Sequence, residues 1–176
     1  GNIVLDSGDV LYNEGKMLTQ EGNVIIEAVN DVTNSGDMIT FAGLVEIESE
    51  NGKVDNTGDM WAGWEESVDN AVKIEASGTV TNSGSMYGLG GITSITSHHG
   101  DIVLNKYFTP ESGGSVYSLN DVYLEAAEGA IINNADDIYS MSDVSLIADK
   151  DLDLNGFDVY SAKNMHLESI YGSVRN

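Results

Sequence analysis

The sequence predicts an all-β fold, a right-handed parallel β-helix (a solenoid) of about eight rows of roughly 22 residues each. Three observations predict it. An apolar-alternating segment five residues long ends each row. A second short segment follows it, with Asn-x-Gly after its apolar residue in several rows. A third pairs a Met, Val or Ile with an aliphatic or aromatic residue of opposite direction and then a small one.

The first segment is typified by Val45-Glu46-Ile47-Glu48-Ser49. Its leading position reads Ile3, Val24, Val45, Val72, Thr93, Val122, Val144 and Met165 along the chain. The middle position reads Leu5, Ile26, Ile47, Ile74, Ile95, Leu124, Leu146 and Leu167. Apolar residues at every second place describe a strand with one buried face. The closing residue is always Ala or Ser, which predicts a corner where the interior narrows.

The second segment follows the corner, with an apolar file of Val10, Val32, Val54, Val80, Ile102, Ile131, Leu152 and Val174. Two places on come Asn34, Asn56, Asn82 and Asn133, with Leu104 and Leu154 in two rows, Tyr12 in the first, and Asn13 displaced there by one. Gly36, Gly58 and Gly84 follow their asparagines by two residues. Asn and Gly both tolerate positive φ, so a turn is expected there. An inward Asn can bond backbone groups at the bend and satisfy its buried amide.

In the third segment Met17, Met38, Met60, Met86, Val116, Ile138 and Val159 face the core, the methionines filling irregular gaps. Leu18, Ile39, Trp61, Tyr87, Tyr117, Tyr139 and Tyr160 face the other way. The spacing from Asn34 to Asn56 is 22 residues and from Val144 to Met165 is 21. Two rows are longer, 27 residues from Val45 to Val72 and 29 from Thr93 to Val122. The excess predicts loop insertions near 63–68 and 106–114, the second holding Pro110. A leucine-rich repeat would need a regular Leu/Asn consensus and a helical side, and neither is present. The chain, residues 1–176, reads as one elongated domain whose ends both fall within rows, as expected of a segment of a longer repeat protein.

The formal charge is −22, from 29 acidic and 7 basic residues. Phosphate would be repelled, which excludes nucleic acid as a partner and disfavours an anionic membrane surface. There is no cysteine, hence no disulfide and no thiolate metal site, and no apolar run of transmembrane length, so the chain is not expected to be membrane-embedded.

Three groups of side chains bear on function. Glu27, Glu48 and Glu75 fall in one outward file with Asp6, Glu125 and Glu168. Stacked carboxylates can bind Ca²⁺, but exposed charges about 4.8 Å apart repel by only about 0.9 kcal/mol in water, so a solvated face needs no cofactor. Asp136-Asp137 and the alternating Asp149, Asp151 and Asp153 are read the same way, with all three on one strand. Register proposes ion pairs of Asp31 with Lys53, Glu46 with Lys73 and Asp153 with Arg175. The sharper signal is the file of Trp61, Tyr87, Tyr117, Tyr139 and Tyr160, with Trp64 and Tyr107 on the insertions beside it. Such a stripe can stack on sugar rings or contact a protein, or it can be a self-stacking ladder. His98, His99 and His166 have no sequence partner for catalysis or metal binding.

The aligned rows resemble the filamentous haemagglutinin repeats of bacterial two-partner secretion exoproteins. The resemblance is carried by Asn34-Ser35-Gly36-Asp37-Met38 leading to Val45–Ser49, by Asn82-Ser83-Gly84-Ser85-Met86, and by Ile138-Tyr139-Ser140 leading to Val144–Ala148. It implies a right-handed β-helix and export through an outer-membrane secretion pore. It also implies a secreted or cell-surface location, and a role as adhesin or as the stalk of a contact-dependent inhibition toxin. The expected function is a structural and adhesive rod, not an enzyme, with a cell-surface glycan or protein receptor as partner. The alternatives are a polysaccharide-binding or polysaccharide-degrading β-helix and a Ca²⁺-stabilised rod. The single arginine, Arg175, argues against a lyase, which commonly needs a basic group at the reacting carbon.

Overall fold

The computed structural model describes residues 1–63, 70–106 and 115–176. The two expected insertions, with Trp64, Tyr107 and Pro110, lie outside the described residues except for Gly63 and Lys106. The chain forms an all-β parallel solenoid. Two eight-stranded sheets and one seven-stranded sheet run its length, and each sheet takes every third strand of the chain. The described residues contain no helix.

Register follows the sequence files. Val45 pairs with Val24 below and Val72 above, and Val122 with Thr93 and Val144. Met38, Met60 and Met86 form one file of the third sheet, each fully buried. Alternating burial along Val45–Ser49 puts Val45, Ile47 and Ser49 inside and Glu46 and Glu48 outside. No coil can cover its own apolar face, so stability comes from stacking, and one continuous core of aliphatic and methionine side chains fills the shaft.

The first coil departs from expectation. Leu11, not Val10, pairs with Val32, and Asn13, not Tyr12, pairs with Asn34. Val10 is 40% exposed and Tyr12 72%. The reason is corner length: from Ala28 to Val32 is four residues, and Ser7 reaches Leu11, not Val10, in that number.

The corners show what three of the serines do. Ser49, Ser97 and Ser169 each accept the N–H of the glycine three residues on, Gly52, Gly100 and Gly172, at 3.0–3.1 Å. Their hydroxyls donate to carbonyls of the coil below, those of Asn30, Gly78 and Lys150. Serine closes three of the four five-residue corners and alanine three of the four-residue ones, after Ala28, Ala76 and Ala148; Ala126 before Ile131 and Ser7 before Leu11 are the exceptions.

The inward asparagines bond backbone groups as expected, and they also bond one another in a ladder. Asn13, Asn34 and Asn56 each donate through Nδ2 to the Oδ1 of the next, at 2.7 Å in all three steps. Each also donates to a carbonyl two residues on, as does Asn82 to Gly84 at 2.7 Å. The glycines have a different reason from the one expected. Gly36, Gly58 and Gly84 are not at positive φ. A Cβ on any of them would run into the carbonyl of the equivalent glycine one coil below, Gly15, Gly36 and Gly58. Close approach of stacked backbones, not turn conformation, selects glycine there.

Candidate functional site

Seven of the 29 acidic residues are built into the stack. The residue before a strand is repeatedly Asp, and its side chain reaches the next coil. Asp31, Asp59, Asp101, Asp121, Asp137, Asp143 and Asp151 accept the backbone N–H of Lys53, Ser85, Ala130, Asp143, Asp158, Asn164 and Ser173, at 2.8–3.1 Å. Asn2 and Asn23 do the same for Asn23 and Leu44, both at 3.0 Å. Each bond supplies a corner N–H with a partner, charge-assisted where the acceptor is an aspartate. The Asp31–Lys53 pairing expected from register is thus realised through the backbone amide of Lys53 and not its ammonium. The signal was legible as an Asp immediately before each apolar strand residue, as in Asp31-Val32, Asp59-Met60 and Asp101-Ile102.

The glutamate file is in register, Glu27 beside Glu48 and Glu48 beside Glu75. Its neighbour is a cation from the chain itself. Lys73 Nζ lies 2.8 Å from both Glu46 and Glu75, and His98 Nε2 lies 2.9 Å from Glu75. Burial works to lower the Lys73 pKa, but its hydrogen bonds to Glu46 and Glu75 outweigh that and hold it above the usual lysine range. The same hydrogen bonds, first from Lys73 and then from His98, hold Glu75 below the usual carboxylate range. Glu48 is pushed up, by burial first and by Glu75, Glu46 and Glu27 against the opposing pull of Lys73. Among the described residues no group of three or more His, Asp or Glu side chains converges on a metal position.

The remaining charged candidates are paired or bound at corners. His99 Nδ1 lies 3.0 Å from Glu128 and His166 Nε2 lies 2.9 Å from Glu168. Asp149 and Asp151 sit in the corner between Val144–Ala148 and Leu152–Asp153, not on a common strand with Asp153, because Ala148 ends the preceding strand. Arg175 reaches both Asp151 at 3.3 Å and Asp153 at 3.9 Å.

The aromatic file is one column on the outer face of the third sheet. Trp61 is beside Tyr87, then Tyr117, Tyr139 and Tyr160 follow in successive coils. Tyr117 and Tyr139 stack with centroids 5.0 Å apart and planes 1° apart, and Tyr139 and Tyr160 with 4.6 Å and 8°. Tyr87 and Tyr117 are tilted at 6.3 Å, and Phe41 meets Trp61 edge-on at 5.3 Å. Tyr117, Tyr139 and Tyr160 therefore cover one another's faces and present their rims outward, whereas Tyr87 and Trp61 are tilted out of that stack.

Beside the column runs a second exposed apolar file that sequence reasoning missed: Phe41, Leu119 and Met141, 45%, 37% and 46% exposed. Its sequence signal is the residue after the small one that closes the third strand, as in Met38-Ile39-Thr40-Phe41 and Val116-Tyr117-Ser118-Leu119. Two shallow grooves follow the band that column and file make together. One of about 360 Å³ is lined by Ile39, Phe41, Trp61 and Tyr87 between Asp37 and Asp59. The other, of about 340 Å³, lies along Tyr87, Tyr117 and Tyr139 beside Asp136 and Asp137. Among the described residues no helix is long and apolar enough to cross a membrane.

Comparison with protein-family models, with curated proteins and with solved structures finds no match for this chain.

Proposed function

We propose that the chain is a segment of a rigid extracellular rod, a structural and adhesive module that presents the aromatic band to a cell-surface glycan or protein. The observation that carries this reading is the division of labour among the side chains. Aspartates, asparagines and corner serines are consumed in holding coil to coil, whereas the outer face of the third sheet carries an unbroken aromatic file from Trp61 to Tyr160 with Phe41, Leu119 and Met141 beside it. Such a band on a highly acidic, soluble surface is the pattern of an interaction face.

The finer assignments belong to the same proposal. The rod is a right-handed β-helix of eight rows, because strand-to-parallel-strand connections in one sheet are right-handed in about 98% of cases. It belongs with the filamentous haemagglutinin-type repeats of two-partner secretion exoproteins, and its place is outside the bacterial cell. The support is the Asn-x-Gly and alternating-strand pattern of the sequence together with the parallel solenoid those rows build. It performs no catalysis.

The test is adhesion of the purified chain to cells and to an array of surface glycans, with Trp61→Ser and Tyr139→Ser variants. The proposal expects binding that both variants reduce while the fold persists. Binding insensitive to both removes the band as the contact surface. New reducing ends or unsaturated products on incubation with polysaccharides would make the chain an enzyme and overturn the rod reading.

A further inference from the structure

The outer face of the first sheet carries two files of side chains. In its lower coils they are long: Ile25, Glu46 and Lys73 in one, Glu27, Glu48 and Glu75 in the other. The strand Ile92–Ser97 interrupts both, setting Ser94 beside Lys73 and Thr96 beside Glu75. The next coil sets Tyr123 beside Ser94, and the one after sets Ser145 beside Tyr123. One aromatic side chain thus stands between two serines. The result is an open trough of about 420 Å³ walled on one side by Lys73 and edged by Asp121 and Asp143.

Tyr123 differs from the tyrosines of the third sheet. Tyr139 is stacked on both sides, whereas among the described residues no aromatic ring packs against Tyr123. Its hydroxyl donates to Glu125 Oε2 at 2.5 Å, which ties the ring along its own strand. Burial, then this hydrogen bond and the glutamate charge, push the phenol up to about 12, so it stays a neutral donor.

The polar groups around it are free to serve a ligand. Ser94 is 9% exposed and lines the trough. The corner serines spend their hydroxyls on bonds between coils, whereas those of Ser94, Thr96 and Ser145 enter none among the described residues. Asp121 and Asp143 each use Oδ1 on a backbone amide, at 3.1 and 2.9 Å, and Asp143 Oδ1 also accepts from Asn164 Nδ2 at 3.1 Å. Each keeps its second oxygen as an acceptor. Lys73, the cation of the trough, is already held between Glu46 and Glu75.

The geometry points to a subsite for a ring of a neutral glycan, with the Tyr123 ring as the apolar contact, Ser94, Thr96 and Ser145 as hydroxyl partners, and Asp121 and Asp143 as acceptors for sugar O–H groups. A cavity of this size with one aromatic surface and a few convergent polar groups suits a small polar ligand with an apolar face. Two aspartates beside a committed lysine, on a chain of net charge −22, repel a uronate or a sulfated sugar. The subsite lies on a different sheet from the aromatic band and does not depend on it.

The test is saturation-transfer NMR and calorimetric titration of the chain with neutral trisaccharides spanning gluco, galacto, manno and N-acetylhexosamine rings, with a trigalacturonate as the anionic probe. At least one neutral probe is expected to bind and trigalacturonate is not. Tyr123→Ala is expected to weaken that binding by about tenfold or more, as loss of a stacking contact and its neighbours' order would. Ser94→Lys, which refills the trough from the file that Lys73 occupies one coil below, is expected to abolish it. Tyr139→Ala, on the other sheet, is expected to leave it unchanged. Silence across the neutral panel, preference for trigalacturonate, or full affinity in either the Tyr123→Ala or the Ser94→Lys variant overturns the subsite. Loss through Tyr139→Ala alone moves the glycan to the aromatic band and likewise overturns it.

Discussion

Replacing Asn56 by Leu probes the buried ladder at its middle. Asn56 is fully buried and makes three side-chain bonds: it accepts from Asn34 at 2.7 Å and donates to Gly58 O at 2.9 Å and to Asn82 Oδ1 at 2.7 Å. Leucine fits the site, because Leu104 occupies the same file beside Asn82. The substitution removes all three bonds and leaves buried groups on Asn34, Gly58 and Asn82 without them. At about 1 kcal/mol net per bond, with part of the 1–3 kcal/mol penalty for each stranded group, the loss is about 3–6 kcal/mol. Burial of the leucine returns about 1–2 kcal/mol, since some of the apolar stem was buried already. The net cost is about 2–4 kcal/mol. Asn82 supplies the control. It ends the ladder beneath Leu104 and makes two side-chain bonds, from Asn56 and to Gly84. Asn82→Leu should therefore cost about 1–2 kcal/mol by the same reckoning. Urea unfolding followed by far-ultraviolet circular dichroism, at equal m-values, reads both. A neutral Asn56→Leu, or an Asn82→Leu at least as costly, would refute the ladder as a source of stability.

Three further outcomes are expected. Gly58→Ala should lower the thermal midpoint sharply because its Cβ meets the Gly36 carbonyl, whereas Gly15→Ala, with only Asn13 Oδ1 at 3.7 Å nearby, should be tolerated; equal effects would remove close approach as the reason for the glycines. The raised phenol of Tyr123 gives stability that is complete below pH 10.0, its unfolded value, and is lost as pH rises toward about 12. Tyr123→Phe should flatten the stability–pH curve in that window, and an unchanged slope would deny the shift. Glu75, with its pKa depressed, contributes stability present above its ordinary value of 4.5 and lost as pH falls below it. Lys73→Met should shrink that acid-limb contribution to the part His98 supplies and make stability more salt-dependent, since it leaves Glu46, Glu48 and Glu75 adjacent with no lysine between them. An unaltered acid limb would show that the pair is idle.

The repeat was legible because stacking forces equivalent residues into files, and a file of Val, Ile and Leu can be read without coordinates. Sheet register came through in every coil but the first, where a one-residue error placed Val10 and Tyr12 inside in place of Leu11 and Asn13. Corner length decides that register, and corners carry little apolar signal. The identity of the glycines was legible but their cause was not: positive φ and backbone contact both select glycine, and only the placement of the neighbouring coil distinguishes them. The aspartates misled in another way. Read along the chain they look like a charged surface, whereas across coils they accept backbone amides. The aromatic column was visible from spacing, but its stacking, the companion file of Phe41, Leu119 and Met141, and the trough at Tyr123 depend on which side chains lack a tall neighbour one coil away.

Stacked coils are tested most directly by a spin-label distance along one file of the first sheet. Glu27 and Glu168 lie in the same outward file, joined through Glu48, Glu75, Thr96, Glu125 and Ile147. Six inter-strand steps of about 4.8 Å place their backbones about 29 Å apart. Pulsed dipolar spectroscopy on a chain labelled at those two sites should give one narrow distribution near that distance, widened only by the label linkers. A broad distribution, or a maximum far from about 29 Å, would contradict the stack.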